Sequence, residues 1–291
     1  MVSVIELSPW LERFEAEWLK TQNNLYSAPT RLHAACRYAL AGQGKRIRPL
    51  LAMAAAEAVG SSWEKALPAA MALEFVHTYS LVHDDLPCMD DDDLRRGRAT
   101  THKVFDEATA LLVGDALLTD AMGLLLETPD VPSATLVELV KTLSLAAGGR
   151  GMVYGQDLDM HWTGRSGFTA EDLDAIHLNK TGALIAAACA LGGLVGQAAP
   201  DVVERLRTFG SQLGLAFQII DDLLDNSGTT GKSQGKDADS GKLTYLSLMP
   251  HDEAHARAER LTEEALQNLL SWGERGAALR LLAMKLLQRS Y

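Results

Sequence analysis

Six of the ten residues from Asp84 to Asp93 are aspartate, within the stretch HDDLPCMDDDDLRRGR from His83 to Arg98. A second cluster, Asp221, Asp222 and Asp225, closes the apolar stretch LAFQIIDDLLD from Leu215 to Asp225. Most charge runs are solvated faces. Three features set these apart: each follows apolar sequence of helical character, Arg95, Arg96 and Arg98 follow the first at once, and the pattern occurs twice. On a helix, Asp221 and Asp225 share one face, with Asp222 beside them. Like charges so placed repel, and a divalent cation would hold them together. Oxygen-only ligands without His or Cys indicate a hard ion, Mg²⁺ before Zn²⁺. Neither cluster has the mid-loop Gly and closing Glu of a helix–loop–helix Ca²⁺ site. Mg²⁺ held by few carboxylates shares its sphere with water and substrate phosphates, so two Asp clusters suggest a diphosphate held between them. In the first cluster, Asp84 and Asp91 would share a face of a straight helix, but Pro87 opposes a straight helix. Spacing leaves the choice between Asp90 and Asp91 open.

A diphosphate also needs cations. The stretch GQGKRIRP, from Gly42 to Pro49, puts Lys45, Arg46 and Arg48 beside an expected helix start, and guanidinium groups suit bidentate phosphate contacts. A basic surface turn is an equal alternative for these three. Asn179, Lys180 and Thr181 interrupt what should be buried helix. Gln218, three residues before Asp221, faces the same way as that cluster. Lys232, Lys236 and Lys242 lie in a Gly/Ser-rich loop, Asn226 to Lys242, suited to closing over a phosphate. His77 is read as a satisfied core residue and His83 as incidental or supporting. Cys88 has no nearby His to make it a nucleophile. The loop Gly148 to Gly155 has the wrong spacing for a dinucleotide fingerprint, and no strand precedes it.

Positioning these groups falls to helices. The 291 residues are 47% hydrophobic and 22% charged, which excludes collagen-like and disordered classes. Aromatic residues are only 6%, Ala and Leu abound, and alternating β-branched runs are scarce. Amphipathic segments are expected at Leu32–Leu40, Pro49–Val59 (stopped by Gly60), Pro68–His83, Ala108–Leu126, Ser133–Ala147, Ala170–Gly196, Pro200–Leu224 and Asp252–Gln288. The expected fold is all-α, one domain over 1–291, a single large helical bundle around a central apolar cavity. With 27 Lys and Arg against 38 Asp and Glu, a net charge of −11, a general nucleic-acid surface is excluded. Three scattered cysteines fit a reducing compartment rather than a disulfide scaffold. The longest uncharged apolar stretch, Ala183 to Gly196, is too short to span a bilayer, and no targeting segment is visible. The expected location is the cytoplasm.

Taken together, the motifs GKRIRP (44–49), HTYSLVHDDLPCMDDDDLRRG (77–97), GQDLD (155–159), KTGALI (180–185), FQIIDDLLD (217–225), and GKxxGKD followed by GKLTY (231–245) resemble the trans-isoprenyl diphosphate synthases. The likeness is to the bacterial short-chain type that makes farnesyl or geranylgeranyl diphosphate, and it covers nearly the whole chain in the family's order. It implies head-to-tail condensation of isopentenyl diphosphate with an allylic diphosphate. Asp84, Asp90, Asp221 and Asp225 would be the Mg²⁺ side, with three Mg²⁺ once substrate is bound. Asp85 and Asp222 complete the motifs, and with Asp84, Asp90, Asp221 and Lys180 make up the implied catalytic set. The resemblance thus selects Asp90 over Asp91. Arg95, Lys180, Thr181, Gln218, Lys232 and Lys242 would hold the allylic diphosphate; Lys45, Arg48, His77 and Arg96 would hold isopentenyl diphosphate. The family also implies a homodimer. Leu246 stands where the family often has Pro, and the role of Lys236 stays open. Tyr79 and Ser80, about one turn before Asp84, lie where the family sets product length, and a bulky Tyr79 resembles farnesyl synthases.

The main alternative is a geranylgeranyl diphosphate synthase. A terpene cyclase would not need Lys45, Arg48 and Arg96, and a non-catalytic partner subunit would be expected to lose Asp residues. A helical protein binding Mg²⁺ only structurally leaves the cations beside both clusters unexplained. The reading predicts that Asp84→Ala abolishes turnover while circular dichroism shows the fold intact; retained turnover would remove Asp84 from the metal.

Overall fold

The computed structural model describes residues 7–42, 44–225 and 243–287. Apart from one two-stranded hairpin, the regular structure of these residues is helical. Their contacts gather into two compact units, residues 1–50 with 67–130, and residues 51–66 with 131–291.

The first unit opens with α1 (Ser8–Leu25), which buries Trp10, Phe14, Trp18 and Gln22 at four-residue spacing. Next comes α2 (Arg31–Leu40), capped by the Thr30 side chain accepting from the His33 N–H at 3.2 Å. Its third helix, α3 (Ile47–Ala58), begins in this unit and continues in the second. Helix α4 (Leu67–Asp84) is buried along most of its length, from Leu67 to Val82, and packs against α6 (Glu107–Leu126). Between them lie β1 (Leu94–Arg95), β2 (Arg98–Ala99) and the short α5 (Thr101–Val104). The hairpin loop is Arg96-Gly97, with φ of 51° and 75°. Two successive left-handed residues make the tight turn that matches strand twist. That turn puts Arg95, Arg96 and Arg98 on one small scaffold and was not expected from the sequence.

One buried ion pair organises this unit. Arg46 donates from Nη1 to Glu74 on α4 at 2.8 Å, both side chains 6% exposed, and from Nε to Glu15 on α1 at 2.8 Å. Its guanidinium lies 4.9 Å from the Trp18 ring centre and 5.8 Å from that of Phe14. A buried guanidinium requires this neutralisation, since an unpaired one would be expelled. The structure therefore assigns Arg46, one of three adjacent cations in GKRIRP, to the scaffold.

The second unit holds α7 (Ser133–Ala147), α8 (Met152–Trp162), α9 (Ala170–His177), α10 (Ala183–Val195), α11 (Pro200–Asp225), α12 (His251–Gln267) and α13 (Ala277–Leu287). Helix α10 is buried almost throughout and packs on α11 and α7; α11 also packs on α12. Three expectations change here. Residues 152–155, expected in a loop, form the first turn of α8, whose N-terminus follows Gly151. The expected helix Asp252–Gln288 is two helices, broken where Gly273 takes φ 50° and ψ −130°. The segment 170–196 is interrupted by a π-turn over Leu178–Gly182 between α9 and α10. Helix α1 and most of α8 were not anticipated. Elsewhere the observed boundaries fall within two residues of those expected, and Gly60 has φ 91°, as a stop requires. The loop 226–242 lies outside the described residues.

Two helical runs, Glu107–Leu126 and Ala170–Val195, are long and apolar enough to cross a membrane. The second is mostly buried within its unit, so its apolar character has a packing explanation.

Close approach in the second unit depends on glycine. A Cβ on Gly192 would lie 2.1 Å from the Ala52 carbonyl oxygen and 2.9 Å from the Ala56 nitrogen, both backbone atoms. Gly192→Ala is expected to cost about 1–3 kcal/mol through overpacking, read as a lower urea midpoint with unchanged m. An unchanged midpoint would show that the two helices can separate freely.

Candidate active site

Helix α4 ends at Asp84, and Pro87 follows three residues on. The chain then folds back: Asp90 N–H donates to the Asp84 carbonyl at 2.8 Å, and Asp91 N–H to the Leu86 carbonyl at 3.2 Å. Asp90 is thereby backbone-paired with Asp84, whereas Asp91 takes a left-handed φ of 49°. The straight-helix pairing of Asp84 with Asp91 does not occur. Asp84 is half-buried and Asp90 exposed.

Asp85 is 4% exposed and accepts from Arg95 Nε at 2.6 Å. Burial raises its carboxyl to about 6, against the pull of Arg95. Arg95 Nη2 also lies 3.8 Å from Asp92. Arg95, expected on a diphosphate, is thus held by the carboxylates of the first motif.

Beside this pair is a cavity of about 380 Å³ whose walls include Arg46, Arg95, Arg96, Arg98 and His77, with Glu74 and Asp85 as the carboxylates. Arg98 lies 4.4 Å over the Tyr38 ring centre. Burial, then Arg48 and Arg96, hold the His77 imidazole well below its ordinary range. Arg96 is lowered by burial and by Arg95 and Arg46; Arg48 is lowered by burial and by Arg96, with Glu74 opposing both. These cations disfavour one another, and an anion would relieve them. Arg48 Nε is buried with no hydrogen-bond partner among the described residues, the orphan that an arriving acceptor would satisfy. Of the four residues expected to hold isopentenyl diphosphate, His77 and Arg96 line the cavity and Arg48 stands within electrostatic reach of both. Lys45 is exposed and does not line it. Arg98 and Tyr38 were missed, although the RRGR spacing already put a third Arg on the same turn.

Tyr79 is 5% exposed, with its ring 5.9 Å from that of His83. Burial, then Asp84, pushes its phenol up to about 12. Ser80 turns its hydroxyl back onto the His77 carbonyl at 2.9 Å.

In the second unit the π-turn carries Lys180 and Thr181. Such turns insert one extra residue into a helix and often mark functional positions. Gly155 of α8 faces it closely, since a Cβ there would lie 2.0 Å from the Lys180 nitrogen. Lys180 Nζ meets Asp159 Oδ2 at 2.6 Å, both side chains under a third exposed. Asp159 and Gln156, in the GQDLD motif, were given no role from sequence. Both amide atoms of Gln156 are buried without a partner among the described residues. Thr181, Gln218 and Asp221 are half-buried. Asp222 is 6% exposed and accepts from the Tyr245 N–H at 3.1 Å. The Tyr245 hydroxyl and Arg257 both donate to Asp174. Asp222 therefore anchors the Thr-Tyr segment after the loop. Helix α11 runs through to Asp225, as the shared-face argument required. Lys232, Lys236 and Lys242 lie outside the described residues.

The polyprenyl synthetase family model matches residues 29–273. A farnesyl diphosphate synthase of Micrococcus luteus is 46% identical over 230 residues, 78% of each chain. The large subunit 1 of the chloroplastic heterodimeric geranylgeranyl pyrophosphate synthase of Arabidopsis thaliana is 46% identical over 252 residues, 84% of this chain and 68% of that one. The crystal structure of a Helicobacter pylori geranyltransferase, complexed with magnesium and isoprenyl diphosphate, superposes with a TM-score of 0.78 at 29% identity, covering 98% of this chain and 99% of that one. An all-helical chain with these matches is a prenyltransferase. It belongs to the polyprenyl synthetase family.

Asp85 gives a signed pH effect. Its carboxyl ordinarily titrates at 3.8 and here at about 6, so between these values the native chain holds a proton that the unfolded chain has lost. Stability therefore falls as pH rises through that window. Asp85→Asn should flatten the fall, read from urea midpoints at pH ~4 and ~7. An equal fall in both proteins would place the effect elsewhere.

Proposed function

We propose that the chain condenses isopentenyl diphosphate head to tail with dimethylallyl and geranyl diphosphates and releases farnesyl diphosphate. The observation that carries this reading is the cavity where Arg96, Arg98 and His77 converge with Arg48 nearby, a cluster that an anionic group would stabilise. His77, kept neutral by burial and neighbouring cations, gives a hydrogen-bond donor without adding to the repulsion. Arg48, His77 and Arg96, with Lys45 at the surface, are read as holding the diphosphate of isopentenyl diphosphate.

Asp84, Asp90, Asp221 and Asp225 are read as the Mg²⁺ ligands, with three ions once substrate is bound. The oxygen-only donor set and the backbone pairing of Asp90 with Asp84 fit a hard ion. Bound Mg²⁺ supplies Lewis-acid and electrostatic stabilisation of the departing diphosphate. Arg95, Lys180, Thr181 and Gln218, with Lys232 and Lys242, are read as holding the allylic diphosphate. Asp85 and Asp159 pair with Arg95 and Lys180, both cations under a third exposed, and so position them before substrate arrives. As the allylic C–O bond breaks, these cations meet the charge building on the leaving pyrophosphate. The double bond of isopentenyl diphosphate attacks the allylic carbocation, and the adduct loses a proton to the pyrophosphate. Apolar surroundings keep water from quenching the cation.

The fifteen-carbon product rests on the buried Tyr79 near the end of α4, where a bulky ring would stop the growing chain. A twenty-carbon product is the second reading, favoured by the geranylgeranyl synthase relative. A homodimer is part of the proposal, supported by the exposed Leu111, Leu112 and Leu126 on α6. So is a cytoplasmic location, supported by three unpaired cysteines.

Purified chain is to be incubated with Mg²⁺, isopentenyl diphosphate and, separately, dimethylallyl, geranyl and farnesyl diphosphates, and the dephosphorylated products sized. Farnesol is expected from the first two starters and no extension from the third, with Tyr79→Ala shifting output to longer alcohols. Geranylgeraniol from the native chain would overturn the length assignment, and no product from any starter would overturn the condensation.

A further inference from the structure

We propose that Asp91, Asp93 and His102 form a second metal site for a first-row transition ion such as Zn²⁺ or Co²⁺, separate from the carboxylates read as Mg²⁺ ligands. One ligand atom from each of the three lies within 4.8 Å of the others. The two carboxylates are exposed, and His102 is 7% exposed. Metal–ligand bonds of ~2.0–2.2 Å bring ligand atoms closer than this, which rotation of two exposed aspartates supplies.

The hydrogen bonds around His102 fix which nitrogen is available. Thr100 Oγ1 has one proton and lies 2.8 Å from the Asp92 carbonyl oxygen and 3.4 Å from that of Asp93, neither of which can donate. Its proton goes to a carbonyl, so the 3.2 Å contact with His102 Nδ1 must be donated by the imidazole. That tautomer leaves Nε2 as a bare lone pair, and Nε2 is buried with no hydrogen-bond partner among the described residues. An imidazole whose Nδ1–H is held by a polar neighbour and whose Nε2 has no protein partner among the described residues is arranged as in metal-ligating histidines.

Chemistry then selects the ion. One imidazole nitrogen with two carboxylates suits Zn²⁺ or a neighbouring transition ion better than Mg²⁺, which prefers oxygen alone. Two formal negative charges and a neutral ring match a dication. Asp93 Oδ1 also pairs with Lys103 at 2.8 Å, so the ion would share or take over that oxygen. The ion would tie the Asp90–Asp93 turn to α5 on the far side of the Arg95–Arg98 hairpin.

The test uses the full chain without substrate and reads binding alone, so it does not depend on the prenyltransfer reading. Co²⁺ is added to metal-free protein while its visible d–d absorption is recorded, and Zn²⁺ is titrated by calorimetry. The Asp84→Ala, Asp90→Ala double variant serves as background. One ion per chain is expected, retained in that background. Losing an outer partner costs ~10–100-fold in metal affinity, so Thr100→Val should weaken binding by that much and His102→Gln by at least ~100-fold. Asp91→Asn keeps a residue tolerant of the left-handed turn and should weaken binding even if the His102 variant does not fold. Absence of one-to-one binding, loss in the double variant, or undiminished binding in Asp91→Asn would each overturn the site.

Discussion

A guanidinium can be buried beside other guanidiniums only if carboxylates are buried with it. Arg46 meets this condition through the buried Glu74, with the partly exposed Glu15 as a second carboxylate, and much of the first unit follows from it. The pair draws α1 and α4 to the start of α3, and Trp18 and Phe14 cover its faces. Arg46 is thereby committed to the scaffold, whereas Arg48 Nε is left without a hydrogen-bond partner among the described residues. Truncating Glu74 would leave the buried Arg46 with only the partly exposed Glu15, a damaging change in a core. This contact marks Arg46 as a cation of the scaffold.

The same division of labour recurs lower down. Each Asp motif opens with two adjacent aspartates, and in each the second is the buried one. Asp85 holds Arg95, and Asp222 holds the backbone of Tyr245. The first of each pair, Asp84 and Asp221, stays half-buried on its helix. In each pair one carboxylate positions the local frame and the other stays partly open to solvent. Lys180 is treated likewise, with Asp159 fixing its ammonium and Gly155 allowing the backbone approach.

Much of this was legible in the sequence. Helices with a clean apolar stripe or a Pro and Gly at their ends, such as α4, α7 and α11, fall within two residues of expectation. Helix α1 was overlooked because glutamates break its apolar run, although Trp10, Phe14 and Trp18 recur every four residues. The end of the chain was read as one helix because periodicity alone cannot see a backbone reversal at a single Gly273. The RRG triplet marked cations but not the left-handed turn that aims them. In the site, residue types announced charge, while pairing was invisible: nothing in the spacing says that Arg46 is consumed by Glu74 and Glu15. Spacing left Asp90 and Asp91 open and the resemblance favoured Asp90; the fold-back that pairs Asp90 with the Asp84 carbonyl after Pro87 is a hydrogen bond that no helical wheel contains.

The π-turn at Leu178–Gly182 has a consequence for how this helix can evolve. Each residue added to a helix turns everything beyond it by about 100°. The one extra residue here absorbs such a rotation locally, so α9 and α10 each keep their own packed face. Removing a single residue from the turn would not simply shorten the chain. It would force a choice between turning α10 out of its seat on α11 and straightening the turn, which would change the residue opposite Asp159. Length at this point is therefore coupled to pairing, and a one-residue gap in a relative's sequence would mark a change in which side chain meets Asp159.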